Sequence, residues 1–152
     1  MLKINLVCVG NLKDKFYIDG AGEYAKRLSR FCSLNIIELK EYTNLNNIEQ
    51  IKKAEGEEII KAVKGYVILM DVQGKLISSE NLAENLETIS QSYSEITFVI
   101  GGSYGVSEEV KNIANQKLSV SKMTFPHRLF RVMLLEQIYR AFTINNNISY
   151  HK

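Results

Sequence analysis

The residues of this chain best suited to chemistry are a histidine, two arginines and a run of glycines that fall between Phe98 and Tyr139. His127 follows Pro126, the one proline in the sequence, and precedes Arg128, with Arg131 one helical turn further on. A cation beside an imidazole depresses its pKa and favours the neutral, proton-accepting form near pH 7. Upstream, the apolar run Phe98-Val99-Ile100 meets Gly101-Gly102-Ser103-Tyr104-Gly105. Missing Cβ atoms there would let a ligand approach the backbone amides, or would simply allow a tight strand-to-helix turn. A third run, Ser119-Val120-Ser121-Lys122-Met123-Thr124-Phe125, breaks at Pro126. The chain end, Tyr150-His151-Lys152, reads either as a frayed terminus or as three hydrogen-bonding side chains that fold over a substrate.

Several chemistries fail on spacing. The glycine loop is not GxGxxG, because its third position is Ser103. Gly74-Lys75 lacks the upstream glycine of a P-loop and is followed by Leu76. No GxSxG elbow occurs, and two histidines without a cysteine cluster offer no metal constellation. Nicotinamide, nucleotide-hydrolysing and metal-centred enzymes are disfavoured.

The elements that must hold these residues alternate in period. Strand patterns are predicted over 4–9, 34–39, 66–72, 96–100 and 118–123, with Gln73-Gly74 ending the third. Between them, Tyr17, Ala21, Tyr24, Leu28 and Phe31 mark one helix face, and Ile48, Ile51, Ile59 and Val63 a more polar second one. Residues 42–47 form an asparagine-rich loop. Ser78 or Ser79 caps a third helix burying Leu82, Leu86, Ile89 and Tyr93, and Ser107 followed by two glutamates starts a fourth. The fifth runs over 128–144. Such alternation predicts an α/β domain with a mostly parallel sheet flanked by helices, and in open sheets of this kind ligands settle at the carboxyl ends of strands.

The 152 residues suit one domain spanning 1–152, without linker or repeat. Cys8 and Cys32 are expected to be reduced and structural, and no leader or membrane span is visible, so the expected compartment is the cytoplasm. Net charge is +2, but residues 110–152 hold seven Lys and Arg against the single acid Glu136. That basic end points to a phosphate-bearing ligand or nucleic acid, or else is only a solvated surface. The last helix is apolar around most of its circumference. One face on its own sheet and another on a second subunit would account for this, which predicts a homodimer.

Longer motifs then carry a resemblance. Phe98-Val-Ile-Gly-Gly-Ser103, Leu118-Ser-Val-Ser-Lys-Met-Thr-Phe-Pro-His127, Arg131 with Leu135-Glu-Gln-Ile-Tyr-Arg-Ala-Phe142, and Tyr150-His-Lys152 resemble the RlmH family. Its members are bacterial 23S rRNA pseudouridine N3-methyltransferases of the SPOUT class. Val7-Cys-Val-Gly-Asn-Leu-Lys13 and Glu23-Tyr-Ala-Lys-Arg-Leu28 extend the resemblance over essentially the whole chain. It implies a C-terminal trefoil knot, a homodimer without membrane attachment, and S-adenosyl-L-methionine bent within the knot at the dimer interface, with no metal.

By position, the resemblance assigns cofactor contacts to Met70, Gly101, Val120, Ser121, Lys122, Met123, Thr124 and Phe125. Met70 stands where relatives often have leucine, Asp71 where glutamate is common and Tyr104 where asparagine is frequent. It further implies that His151, with Tyr150 positioning the base, removes the N3 proton, and that Arg131 stabilises developing charge or a flanking phosphate. His127 is the competing base. The RNA would be 23S rRNA in the large subunit or the 70S ribosome. The alternatives are a SPOUT methyltransferase acting on tRNA and a non-catalytic α/β dimer that binds nucleic acid.

Overall fold

A computed structural model describes residues 1–150, in which β1 (Lys3–Val9), α1 (Lys15–Leu28), β2 (Ser33–Leu39), α2 (Ile48–Ala62), β3 (Tyr66–Leu76), α3 (Ser79–Ser90), β4 (Glu95–Ile100), α4 (Glu108–Ile113), β5 (Gln116–Ser119) and α5 (His127–Asn145) succeed one another. The strands form one parallel sheet in the order β2-β1-β4-β3-β5. Alternate strand residues face opposite ways, and the two sides bury different cores. Ile4, Leu6, Ile96, Phe98 and Ile68 pack with α1, α3 and α5. Val7, Val9, Val67, Leu69 and Val99 pack with Ile59 of α2 and Val110 of α4.

Chain direction explains this division. Steps from β1 to β2 and from β3 to β4 run one way along the sheet, through α1 and α3. Steps from β2 to β3 and from β4 to β5 run the other way, through α2 and α4. A single hand of crossover must then place the two pairs of helices on opposite faces. Crossovers diverge between β1 and β4, beside which open sheets of this kind commonly bind ligands at the carboxyl ends of their strands.

Local chemistry fixes the helix starts. Ser78 accepts from the Asn81 amide at 3.0 Å while the Asn81 side chain accepts from the Ser78 amide at 3.3 Å, a reciprocal cap on α3. Ser107 accepts from Val110 N–H on α4. Both cysteines are buried and free, and burial pushes their thiols up, to about 12 for Cys8 and about 11 for Cys32.

Three expectations are corrected. The third strand does not end at Gln73-Gly74. It detours after Met70, which pairs with Leu118, and returns with Lys75 opposite the same Leu118 and Leu76 opposite Ser119, with Gly74 against the Lys117 backbone where no Cβ would fit. The fifth strand ends at Ser119, so residues 120–125 are irregular backbone. Tyr93 lies beyond α3 and is 41% exposed, edge-on to Tyr66. The sheet below and α1 and α3 on its flanks cover part of the apolar circumference of α5, while Leu129, Phe130, Val132 and Met133 stay half-buried. No helix among the described residues is long and apolar enough to cross a membrane.

Phe98, with no exposed surface at the centre of the sheet, should be the costliest truncation. Phe98→Ala is expected to lower stability by about 3–5 kcal/mol, read from the shift of the urea unfolding midpoint. A loss below about 1 kcal/mol would contradict the packing described.

Candidate active site

A cavity of about 570 Å³ opens at the carboxyl ends of β3, β4 and β5, within the ~300–1,000 Å³ usual for small-molecule sites. Its apolar lining comes from Met70, Ile100, Leu118, Val120, Phe125 and Phe130, and its polar lining includes Asp71, Ser121, Thr124 and His127. One wall is the glycine loop. The Gly105 amide donates to the Gly102 carbonyl at 3.1 Å, and Gly105 takes a φ of +85°, closing a turn with Tyr104 at its tip. A Cβ on Gly101 would stand 2.6 Å from Val106 Cγ1. Glycine is therefore required here by the protein's own packing as well as by any ligand.

Beside the cavity, four charged side chains tie together three chain segments. Arg131 is 1% exposed. Its guanidinium donates to Glu38 at the end of β2 and, at 2.8 Å, to the Gly10 carbonyl at the end of β1. Glu38 also accepts from the Leu12 amide at 3.1 Å. Gly10 has a φ of +93°, a conformation that only glycine adopts without strain. One turn earlier, Arg128 donates to the Asn11 carbonyl at 3.1 Å and lies 3.6 Å from Glu41, whose other oxygen accepts from Ser103 at 3.5 Å. The start of α5 is thereby fixed against both central loops.

His127 is the first residue of α5 and lines the cavity. Its Nε2 is buried without a hydrogen-bond partner among the described residues. Burial, then the Arg128 charge, holds its imidazole below the usual histidine value, with Glu41 opposing. The sequence reading named only the cation; desolvation is the larger cause.

Met70, Gly101, Val120, Ser121, Met123, Thr124 and Phe125 all border this same cavity. Lys122 does not: it is exposed and outside the lining. Arg131 does not reach it either, since Glu38 and Gly10 occupy its guanidinium. Tyr150 lies elsewhere. Its hydroxyl donates to Glu136 at 2.9 Å, its ring packs edge-on to Tyr139, and burial with the Glu136 hydrogen bond pushes its pKa up. His151 and Lys152 lie outside the described residues.

Sequence reasoning missed the acids. Glu38 breaks an apolar strand in register with Cys8, and that interruption was the available signal. Glu55, 3% exposed on α2, accepts from the Tyr42 amide at 3.1 Å and sits against Gly102, in a helix whose polar sequence hid its buried face.

Removing Glu38's charge would leave Arg131 buried and uncompensated. Glu38→Gln is expected to cost about 3 kcal/mol, and adding Arg131→Met should recover part of that loss. Denaturant unfolding of both single variants and the pair measures the coupling; strict additivity would exclude it.

Comparison with known proteins follows from this geometry. Residues 2–151 match the family described as "Predicted SPOUT methyltransferase". The ribosomal RNA large subunit methyltransferase H of Fusobacterium nucleatum subsp. nucleatum is 49% identical over 155 residues, covering 99% of this chain and 100% of that protein. The methyltransferase H of Clostridium novyi is 50% identical over 159 residues, with the same coverage. Among solved structures, a probable methylase family protein from Haemophilus influenzae superposes with a TM-score of 0.53 at 15% identity, over 99% of this chain and 70% of that one. A tRNA (m1G37) methyltransferase from Aquifex aeolicus gives 0.53 at 14% identity, over 91% of this chain and 69% of that one. At such low identity these two structures share the fold alone. With full-length relatives near half identical and a family match over residues 2–151, the chain belongs to the SPOUT methyltransferases, in the ribosomal RNA large subunit methyltransferase H family.

Proposed function

We propose that this protein transfers a methyl group from S-adenosyl-L-methionine to N3 of a pseudouridine in 23S rRNA of the large ribosomal subunit, in the cytoplasm. The observation that carries this reading is the cavity at the ends of β3, β4 and β5, walled by residues 118–127 and bordered by a buried histidine nitrogen without a partner. The lining fits the donor: apolar Met70, Leu118, Val120 and Phe125 suit a purine, and the Asp71 carboxylate suits a cationic sulfur. When bound, the donor supplies an electrophilic methyl on a sulfonium. In this reading residues 120–127 pass through the family's trefoil knot.

The protein's own residues then have three tasks. The walls exclude water and align the base with the methyl group. As the new N–CH3 bond forms and the S–CH3 bond breaks, the N3 proton must pass to a base. His127, neutral at pH 7 and on the cavity edge, can accept it; His151 is the alternative. Arg131 holds the start of α5 in place and acts on the chemistry only through His127's position.

Tyr150 lies beside a second, apolar groove of about 520 Å³ that includes Tyr24, Leu82, Val132, Met133 and Glu136. A second copy of the chain seated on this groove would make the homodimer, and each tail would then complete the partner's cavity.

Labelled methyl transfer with isolated large subunits, 70S ribosomes and tRNA tests the reading, alongside calorimetry with S-adenosyl-L-methionine. Label should enter ribosomal RNA. Label in tRNA would reassign the substrate, and absence of donor binding would leave a nucleic-acid-binding module.

The sign of the pH effect follows from the lowered His127 pKa: protonation occurs only on the acid side of the ordinary value of 6.5. Rates should be level near pH 7 and decline only on the acid side of the ordinary histidine value. His127→Ala should lower kcat roughly 10²–10⁴-fold and remove that acid limb. If His151→Ala does so instead, the tail supplies the base; if neither does, no histidine takes the proton.

A further inference from the structure

Three side chains from three different segments line the cavity, and the methyl-transfer reading gives none of them a task. Tyr104, at the tip of the 102–105 turn, is 53% exposed although it lines the cavity. Lys52 from α2 and Lys111 from α4 line the same cavity. Both lysines are held more firmly than surface lysines usually are, with side chains only 21% and 30% exposed. Most of each side chain is thus covered, as when a lysine stem lies along the protein surface. Each has one acidic neighbour on its own helix, Glu49 at 3.8 Å and Glu108 at 3.4 Å. Those acids are 85% and 78% exposed, so the pairs are weak and easily exchanged for another anion.

A half-exposed aromatic ring lining the same cavity as two lysines has a specific chemical complement. Unpaired nucleotides offer a base face that stacks on an aromatic ring, with phosphates on both sides of it. A folded protein partner would gain little from a lone tyrosine on a glycine turn, and a membrane would require a broader apolar face.

We infer that Lys52, Tyr104 and Lys111 form an RNA-contact rim, on which an unpaired nucleotide next to the target base stacks against Tyr104 while the lysines hold its flanking phosphates. This rests on the methyl-transfer reading and extends it, because it assigns substrate recognition to the α2–α4 side of the cavity. It also gives this domain an RNA contact built into the wall of the cavity itself.

The test uses the full-length protein with isolated large subunits and 70S ribosomes, together with calorimetry of S-adenosyl-L-methionine alone. Tyr104→Ala should raise KM for the ribosomal substrate about tenfold, and Tyr104→Phe, which keeps the ring, should restore it. In Lys52→Gln/Lys111→Gln, the slope of log kcat/KM against log salt concentration should flatten by about 0.7 for each lysine removed. Weakened donor binding with an unchanged ribosomal KM would make Tyr104 a cofactor contact and overturn the inference. An unchanged salt slope would overturn the role of the lysines. Wild-type protein that methylates no ribosomal substrate would remove the functional reading and this one with it. Active wild type with unaffected variants would remove only the rim.

Discussion

A guanidinium cannot sit inside a small α/β domain unless its charge is answered, because the desolvation cost of an isolated buried ion exceeds what any packing returns. Arg131 meets that requirement with a carboxylate from β2 and a carbonyl from β1, and the requirement shapes its surroundings. Gly10 must hold a positive φ for its carbonyl to face the arginine, so a glycine ends β1. Glu38 must stand at an otherwise apolar strand position. Helix α5 must begin where its second turn reaches both. The first residue of that helix, His127, is oriented as a result, and so is the irregular segment leading into it.

The cavity uses the same logic on a larger scale. Its floor consists of strand ends placed by the sheet order, and that order together with one hand of crossover decides which helices lie on which face. Its walls are segments that cannot relax freely. The β3 detour is pinned on both sides by pairing to β5, and the glycine turn is pinned by Val106 on one side and by Glu55 on the other. Irregular backbone is thus pinned by regular structure on the β3 side and by packing on the glycine-loop side, while the start of α5 supplies His127 to the cavity edge.

Most of the architecture was legible in the chain because strand and helix periods differ so clearly. Runs such as Ile4-Asn5-Leu6-Val7-Cys8-Val9 allow one assignment, and the serine caps of α3 and α4 announce themselves. The motif around Gly101 and the segment from Val120 to His127 also pointed to one place, and those residues do meet at one cavity. What failed was contact-dependent. The β5 boundary moved because residues 120–123 keep a strand-like pattern yet have no neighbouring strand to pair with. Arg131 looked like a free cation because nothing local reveals an ion pair with a residue 93 positions away. Lys122 sits inside a motif whose other members face the cavity, but its own side chain is exposed.

The Arg131-to-Gly10 hydrogen bond spans 121 positions of sequence. Such a contact belongs to the slow, non-local class, in which a long loop must close before any energy is gained. While the chain emerges residue by residue, β1 and β2 can pair through α1 early on. The end of β2 would then carry Glu38 through the synthesis of 93 further residues before its arginine appears. The nascent chain therefore remains without its organising ion pair until residue 131 has emerged, and the segment that leads into α5 can be fixed beside the cavity only after that.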